Sequence, residues 1–190
     1  CAALSLALFA HSITHADQTV TAEAKPDHID VSINGSLFTS YKFAPTQKYP
    51  YLYPVNGPRT GKSVTTESSE PYPHHHSLFF ACDRVNGANF WQDANDKGQI
   101  VSQTPKIAES TATKVIIEDE CLWRVPGNEP MMRDTRRITI TAPDDNTRII
   151  DFAIVLEPLV DITIEKTNHS LFAARVAPEL AVTAGGTLVN

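Results

Sequence analysis

The chain has 190 residues, 42% hydrophobic and 20% charged. That is enough for one globular domain with a sizeable core and too few for two of ordinary size. The formal net charge is -6, with no basic stripe to neutralise phosphates. Nucleic acid and anionic membrane surfaces are therefore poor partners, and a neutral small molecule or oligosaccharide fits better.

Residues 1–16 read as the remnant of an export signal. Ala2 to Ala10 is an apolar and small run, and Thr14-His15-Ala16 offers small residues for a signal-peptidase cut before Asp17. A secreted or periplasmic location is expected, with residues 17–190 as a single β-sandwich domain. The run is too short to span a bilayer, so no membrane span is expected. Once the leader is gone, Cys82 and Cys121 remain. An oxidising compartment permits a disulfide between them. Both lie in strand-like runs, however, where a free Cys acts as a small buried hydrophobe, and that reading is preferred. No Cys-x-x-Cys spacing exists for a zinc ribbon or a thioredoxin-like centre.

The first secure element is a hairpin. Ile29 to Ile33 alternates apolar and polar, Asn34-Gly35 supplies two positive-φ residues, and Ser36 to Phe43 returns. Prolines from Pro26 to Pro73 make the next region an extended, turn-rich crossing. Pro73-His74-His75-His76-Ser77-Leu78-Phe79-Phe80 then crowds titratable and aromatic residues at a boundary between loop and strand. Asn86-Gly87 closes another turn just before Asn89-Phe90-Trp91.

Further strands are expected at Gln99–Ser102, Lys114–Trp123, Arg136–Thr141, Arg148–Leu156 and Ile162–Lys166, with no helical period anywhere. In Arg148–Leu156 apolar residues run on both faces, which predicts a central strand covered on both sides. Arg133, Arg136 and Arg137 read as surface ion-pair partners. Glu118, Asp119 and Glu120 read as a solvated rim. A serine hydrolase is excluded, because Ser77 and His76 are adjacent and would point to opposite faces of a strand.

Four ordered motifs carry a resemblance. They are Val31-Ser32-Ile33-Asn34-Gly35-x-Leu37-Phe38-Thr39-Ser40-Tyr41, Pro50-Tyr51-x-Tyr53-Pro54-Val55, Pro73-His74-His75-x-Ser77-Leu78-Phe79-Phe80 and Val85-Asn86-Gly87-x-Asn89-Phe90-Trp91. Together they resemble the bacterial family catalogued as "methane oxygenase PmoA", whose function is uncertain. The label's activity is not expected, since a membrane-helix subunit needs spanning segments and this chain reads as β-structure. Relatives in that family run on further, which implies that the chain is incomplete after Asn190.

A second stretch, Thr167-Asn168-His169-Ser170-Leu171-Phe172, resembles the Thr-Asn-His-(Ser/Thr)-Tyr-Phe segment of aldose epimerases. That resemblance implies a galactose mutarotase-like supersandwich with sugar on the concave face of a sheet, His169 moving a proton at the ring oxygen, and Arg175 contacting hydroxyls. A catalytic Glu would lie beyond Asn190.

The combined expectation is an all-β fold, an antiparallel β-sandwich or supersandwich, that handles a carbohydrate. His169 and His75 are the candidate catalytic residues, and His74, Trp91 and Arg175 the candidate substrate-binding ones. No metal and no cofactor is expected. One alternative is a metal-dependent oxygenase or hydrolase, with His74 and His76 on one side of a strand joining His169. The other is a sandwich with no chemistry, its histidines packing against Trp91.

Overall fold

The computed structural model describes residues 18–187 apart from Ser69 and Asp93. The expected leader, 1–16, lies outside them. The strands among the described residues form two antiparallel sheets, beside three short 3-10 turns at Asn95–Lys97, Pro178–Leu180 and Val182–Ala184. The first contains β1 (Val20–Ala24), β2 (His28–Ile33), β3 (Ser36–Lys42), β4 (Tyr51–Leu52), β5 (Leu78–Cys82) and β11 (Ser170–Ala174), in spatial order β1-β2-β3-β4-β5-β11. The second contains β6 (Gln99–Ser102), β7 (Lys106–Thr111), β8 (Lys114–Arg124), β9 (Met132–Asp144) and β10 (Thr147–Pro158). Its order is β10-β9-β8-β6, with β7 also paired to β8. The fold is an all-β sandwich.

Local chemistry explains the hairpins. Asn34 and Gly35 sit at φ 51 and 75 between β2 and β3, the left-handed values that a two-residue turn requires and that Asn and Gly tolerate. Asn34 also accepts from the Thr19 amide and donates to Gln18, which ties the start of β1 to the turn. In β8 and β9, alternation delivers Val115 and Ile117, and Ile138 and Ile140, into the space between the sheets, where they meet Ile29, Val31 and Tyr41.

The same alternation buries charge. Asp134 and Arg136 share the inward face of β9 with Ile138, and both are fully buried. Arg136 grips Asp134 with two bonds, Nε to Oδ1 at 2.7 Å and Nη2 to Oδ2 at 2.9 Å, and donates to the Pro50 carbonyl at 3.3 Å. Trp123 Nε1 donates to Asp134 at 2.6 Å. Beside them Tyr41 of β3 donates to Asp119 of β8 at 2.8 Å. Arg136 and Asp119 are therefore not surface groups, contrary to expectation. Strand period two puts them on the core face, and hydrogen-bonded partners there make burial tolerable. Arg133, Arg137, Glu118 and Glu120 do pair at the surface.

Two expected strands fall differently. The run Arg148–Leu156 lies in β10, which among the described residues pairs with β9 alone and so forms an edge, and Val155 is 68% exposed. Two apolar faces indicate what a strand can bury, whereas its place in the sheet depends on pairing with segments elsewhere. Ile162–Lys166 is not a strand. It is held by one bridge, Val85 to Ile164, and by the Asn86 side chain, which accepts from the Thr163 amide and donates to the Asp161 carbonyl. Cys82 and Cys121 are buried and unbridged. No helix among the described residues is long and apolar enough to cross a membrane.

Candidate functional site

The histidine loop is stitched to the end of β11. The Ser77 amide donates to the Thr66 carbonyl, the Arg175 amide to the Ser77 carbonyl, and the Thr66 amide to the Arg175 carbonyl. Ser77 Oγ is buried and donates to Thr65 Oγ1 at 2.7 Å, which is a structural role. Because β5 starts only at Leu78, His74, His75 and His76 lie in the loop before it, and the expected alternation of His74 and His76 on one strand face does not apply. The His76 ring points away from its neighbours. It stacks on Tyr51 at 4.6 Å and 13°, and its Nδ1 lies 2.5 Å from the Glu67 carbonyl.

His75 faces the other way. Its ring stacks on Tyr72 at 5.2 Å, meets the edge of His74 at 4.3 Å, and stands edge-on to Trp91 at 5.9 Å. Trp91 is placed by the hairpin that follows β5. Asn86 and Gly87, at φ 50 and 76, close Val85 onto Ala88. The Phe90 amide then returns to the Cys82 carbonyl, and Asn89 Oδ1 accepts from the amides of Trp91 and Gln92. Phe90 is consequently driven into the core against Trp123. Trp91 packs across Phe79 at 4.7 Å.

These residues enclose a cavity of about 180 Å³ lined by His75, Phe79, Trp91, Ala173, Ala174 and Arg175. Three of the sequence-predicted site residues, His75, Trp91 and Arg175, thus share one wall. His74 touches that wall through the His75 ring. His169 does not line the cavity, but its ring lies 5.7 Å from that of Trp91.

His169 has a partner that sequence reasoning missed. Its Nδ1 lies 3.1 Å from Oδ2 of Asp83, and the Asp83 amide donates to the His169 carbonyl at 3.1 Å. Asp83 is 3% exposed. A carboxylate directly after the apolar run of β5 was its one sequence signal, and nothing local to it pointed to a partner 86 positions away.

Three polar atoms around this site are buried and have no hydrogen-bond partner among the described residues: His75 Nε2, Trp91 Nε1 and Asp83 Oδ1. A buried polar group without a partner costs about 1–3 kcal/mol, so the site is poised to accept one. Burial, followed by the nearby charges of His74, Arg175, His169 and His76, pushes the His75 imidazole down to about 4. His75 is therefore neutral at pH 7 and offers one donor and one acceptor. Among the described residues, no group of three or more His, Cys, Asp or Glu stands close enough together to hold a metal ion. The set His74, His76 and His169 is not assembled.

A family model described as a family of unknown function (DUF6807) matches residues 28–190. The chain belongs to this family. No curated protein and no solved structure matches it. In this DUF6807 chain the matched span runs from the first residue of β2 past the end of β11 and contains His74, His75, Asp83, Trp91, His169 and Arg175.

Proposed function

We propose that this DUF6807 protein is exported and binds a carbohydrate in the cavity between the histidine loop and the end of β11. The observation that carries the reading is the pair of unsatisfied buried nitrogens, His75 Nε2 and Trp91 Nε1, in the aromatic wall of a small cavity. A sugar presents both features that such a wall complements. Its C–H faces pack on aromatic rings, and its oxygens satisfy ring nitrogens. The size of the cavity suits one sugar unit. The resemblance of Thr167–Phe172 to a segment of aldose epimerases points the same way.

Within this reading His75 and Trp91 bind the sugar, His74 orients the His75 ring, and His169, which Asp83 orients beside Trp91 just outside the cavity lining, exchanges a proton with a sugar oxygen that projects from the cavity. With Nδ1–H donated to Asp83, the His169 Nε2 lone pair is the basic atom. The test is a glycan screen on the whole chain, followed by calorimetry on the best ligand. His75→Ala should lower affinity at least about tenfold, the loss that a hydrogen bond of about 1.4 kcal/mol represents, whereas His169→Ala leaves the buried Asp83 carboxylate without its partner and should lower stability as well. Unaltered affinity in His75→Ala would overturn the assignment.

A further inference from the structure

The sandwich is open along one side. Among the described residues β10 ends one sheet and β11 the other, each paired on a single side, and their Phe152 and Phe172 rings meet at 5.4 Å. Between the two edges lies an apolar trough of about 300 Å³ lined by Phe80, Ile150, Phe152, Ile154 and Phe172. A second hollow shares Ile150 and carries the apolar surface on along Phe38, Val55 and Val64. Phe172 remains 50% exposed.

The backbone of β10 adds a second demand. From Ile149 to Pro158 its pairing with β9 runs without a bulge, and between Thr147 and Glu157 it contains neither Lys nor Pro. Edge strands that stay unpaired usually carry such devices. β7, on the far side of β8, has two of them, a bulge between Ile107 and Glu109 and Lys106 at its start. β10 has a long, regular row of outward N–H and C=O groups instead, which is a template for a further strand.

Side chains specify the occupant. Ile150, Phe152 and Ile154 face the trough and call for apolar residues at alternate positions. Arg148, on the same face, is turned back on the Asp144 and Thr147 carbonyls. On the outer face the charged residues of β10 are Asp151 and Glu157, both acidic and exposed. Glu157 bonds Arg133, whereas Asp151 has no ion pair among the described residues. Antiparallel pairing with a second copy about Phe152 sets Asp151 diagonally beside Asp151 of that copy, and pairing about Ala153 sets it beside Glu157. Like charges across a strand pair are destabilising. We infer that β10 accepts an extended segment of another polypeptide, apolar on the face turned to the trough and basic on the other, with a Lys or Arg beside Asp151. Main-chain bonds to β10 supply affinity and the alternate side chains supply specificity. This surface is separate from the histidine cavity and does not depend on the carbohydrate reading.

The probe is a short capped peptide that alternates valine and lysine, titrated with the whole chain by fluorescence anisotropy. One control alternates valine and glutamate. The other has the same valines and lysines in two blocks, so that its charge is kept but its valines cannot share one face of a strand. The alternating cationic peptide is expected to bind at least about threefold more tightly than the glutamate peptide, the scale of one cross-strand charge pair. It should exceed the block peptide at least about tenfold, the scale of one valine side chain lost from the trough, and should slow hydrogen exchange at β10 amides and not at those of β7. In Asp151→Lys, an exposed position, the preference should turn towards the glutamate peptide. Equal binding of the alternating and block peptides is charge attraction alone and overturns strand addition. Binding that leaves β10 exchange unchanged overturns the location, and an unaltered preference in Asp151→Lys overturns the charge pairing. A chain that sediments as a dimer with β10 already protected assigns the edge to a second copy and overturns the partner segment. Binding of none of the three peptides overturns the inference.

Discussion

His75 departs clearly from the behaviour of its free side chain. Its ordinary value near 6.5 falls to about 4 in the fold, first through burial and then through its cationic neighbours. The unfolded chain therefore takes up a proton at His75 that the folded chain resists. Stability linked to this group is complete above about pH 7 and declines as pH falls from about 6.5 towards 4. The folded chain should show a His75 ring signal in NMR that does not titrate until near pH 4. A midpoint near 6.5 would show that the ring is not held desolvated against Trp91. The His74 to His76 triplet shows how far residue types carry. Composition alone marked it as the site, yet the three side chains have three different environments, because a loop disperses what a strand would have aligned.

At the scale of elements, the hairpin after β5 places Trp91, and one glycine outside it keeps it in place. Gly98, the residue before β6, has φ 146, and a Cβ there would stand 2.7 Å from the Asn89 carbonyl and 3.2 Å from the Phe90 ring. Gly98→Ala is expected to force the 86–92 hairpin outward and to cost more than the roughly 1 kcal/mol of an ordinary glycine replacement. The change should appear as a lower urea midpoint together with altered tryptophan fluorescence from Trp91. An unchanged spectrum would mean that the hairpin does not depend on that close approach. Turn chemistry at Asn34-Gly35 and Asn86-Gly87 was legible in the sequence because it depends on the backbone of two residues. The edge position of β10 was not, because pairing joins segments that are remote along the chain.

Across the whole molecule, the two sheets are tied by polar contacts as well as by apolar packing. Tyr41 to Asp119 joins β3 to β8, and Arg136 to the Pro50 carbonyl joins β9 to the segment before β4. Breaking the buried Asp134–Arg136 pair by Arg136→Met leaves an unpaired buried carboxylate and should cost about 3–5 kcal/mol. Replacing both, with Asp134→Leu and Arg136→Met together, should cost less than the sum of the single changes, as a double-mutant cycle by chemical denaturation would measure. Additive losses would show that the two groups act independently. The pair sits behind the cluster that contains Tyr49, Phe79 and Trp123, so its geometry also supports the wall on which the candidate site rests.

Sequence alone established the all-β class and the hairpin turns, favoured buried and unbridged cysteines at 82 and 121, and marked the neighbourhood of the candidate site. Each of these follows from a period of two, from residues that accept positive φ, or from side-chain types close together in the chain. It took the folded chain to reveal that Arg175 joins His75 and Trp91, that Asp83 holds His169, that β10 lies at an edge among the described residues, and that Arg136 and Asp119 are buried. The physical reason is common to all four. Strand pairing and side-chain contact between remote segments set which groups meet and which remain in water, and no local pattern encodes the partner.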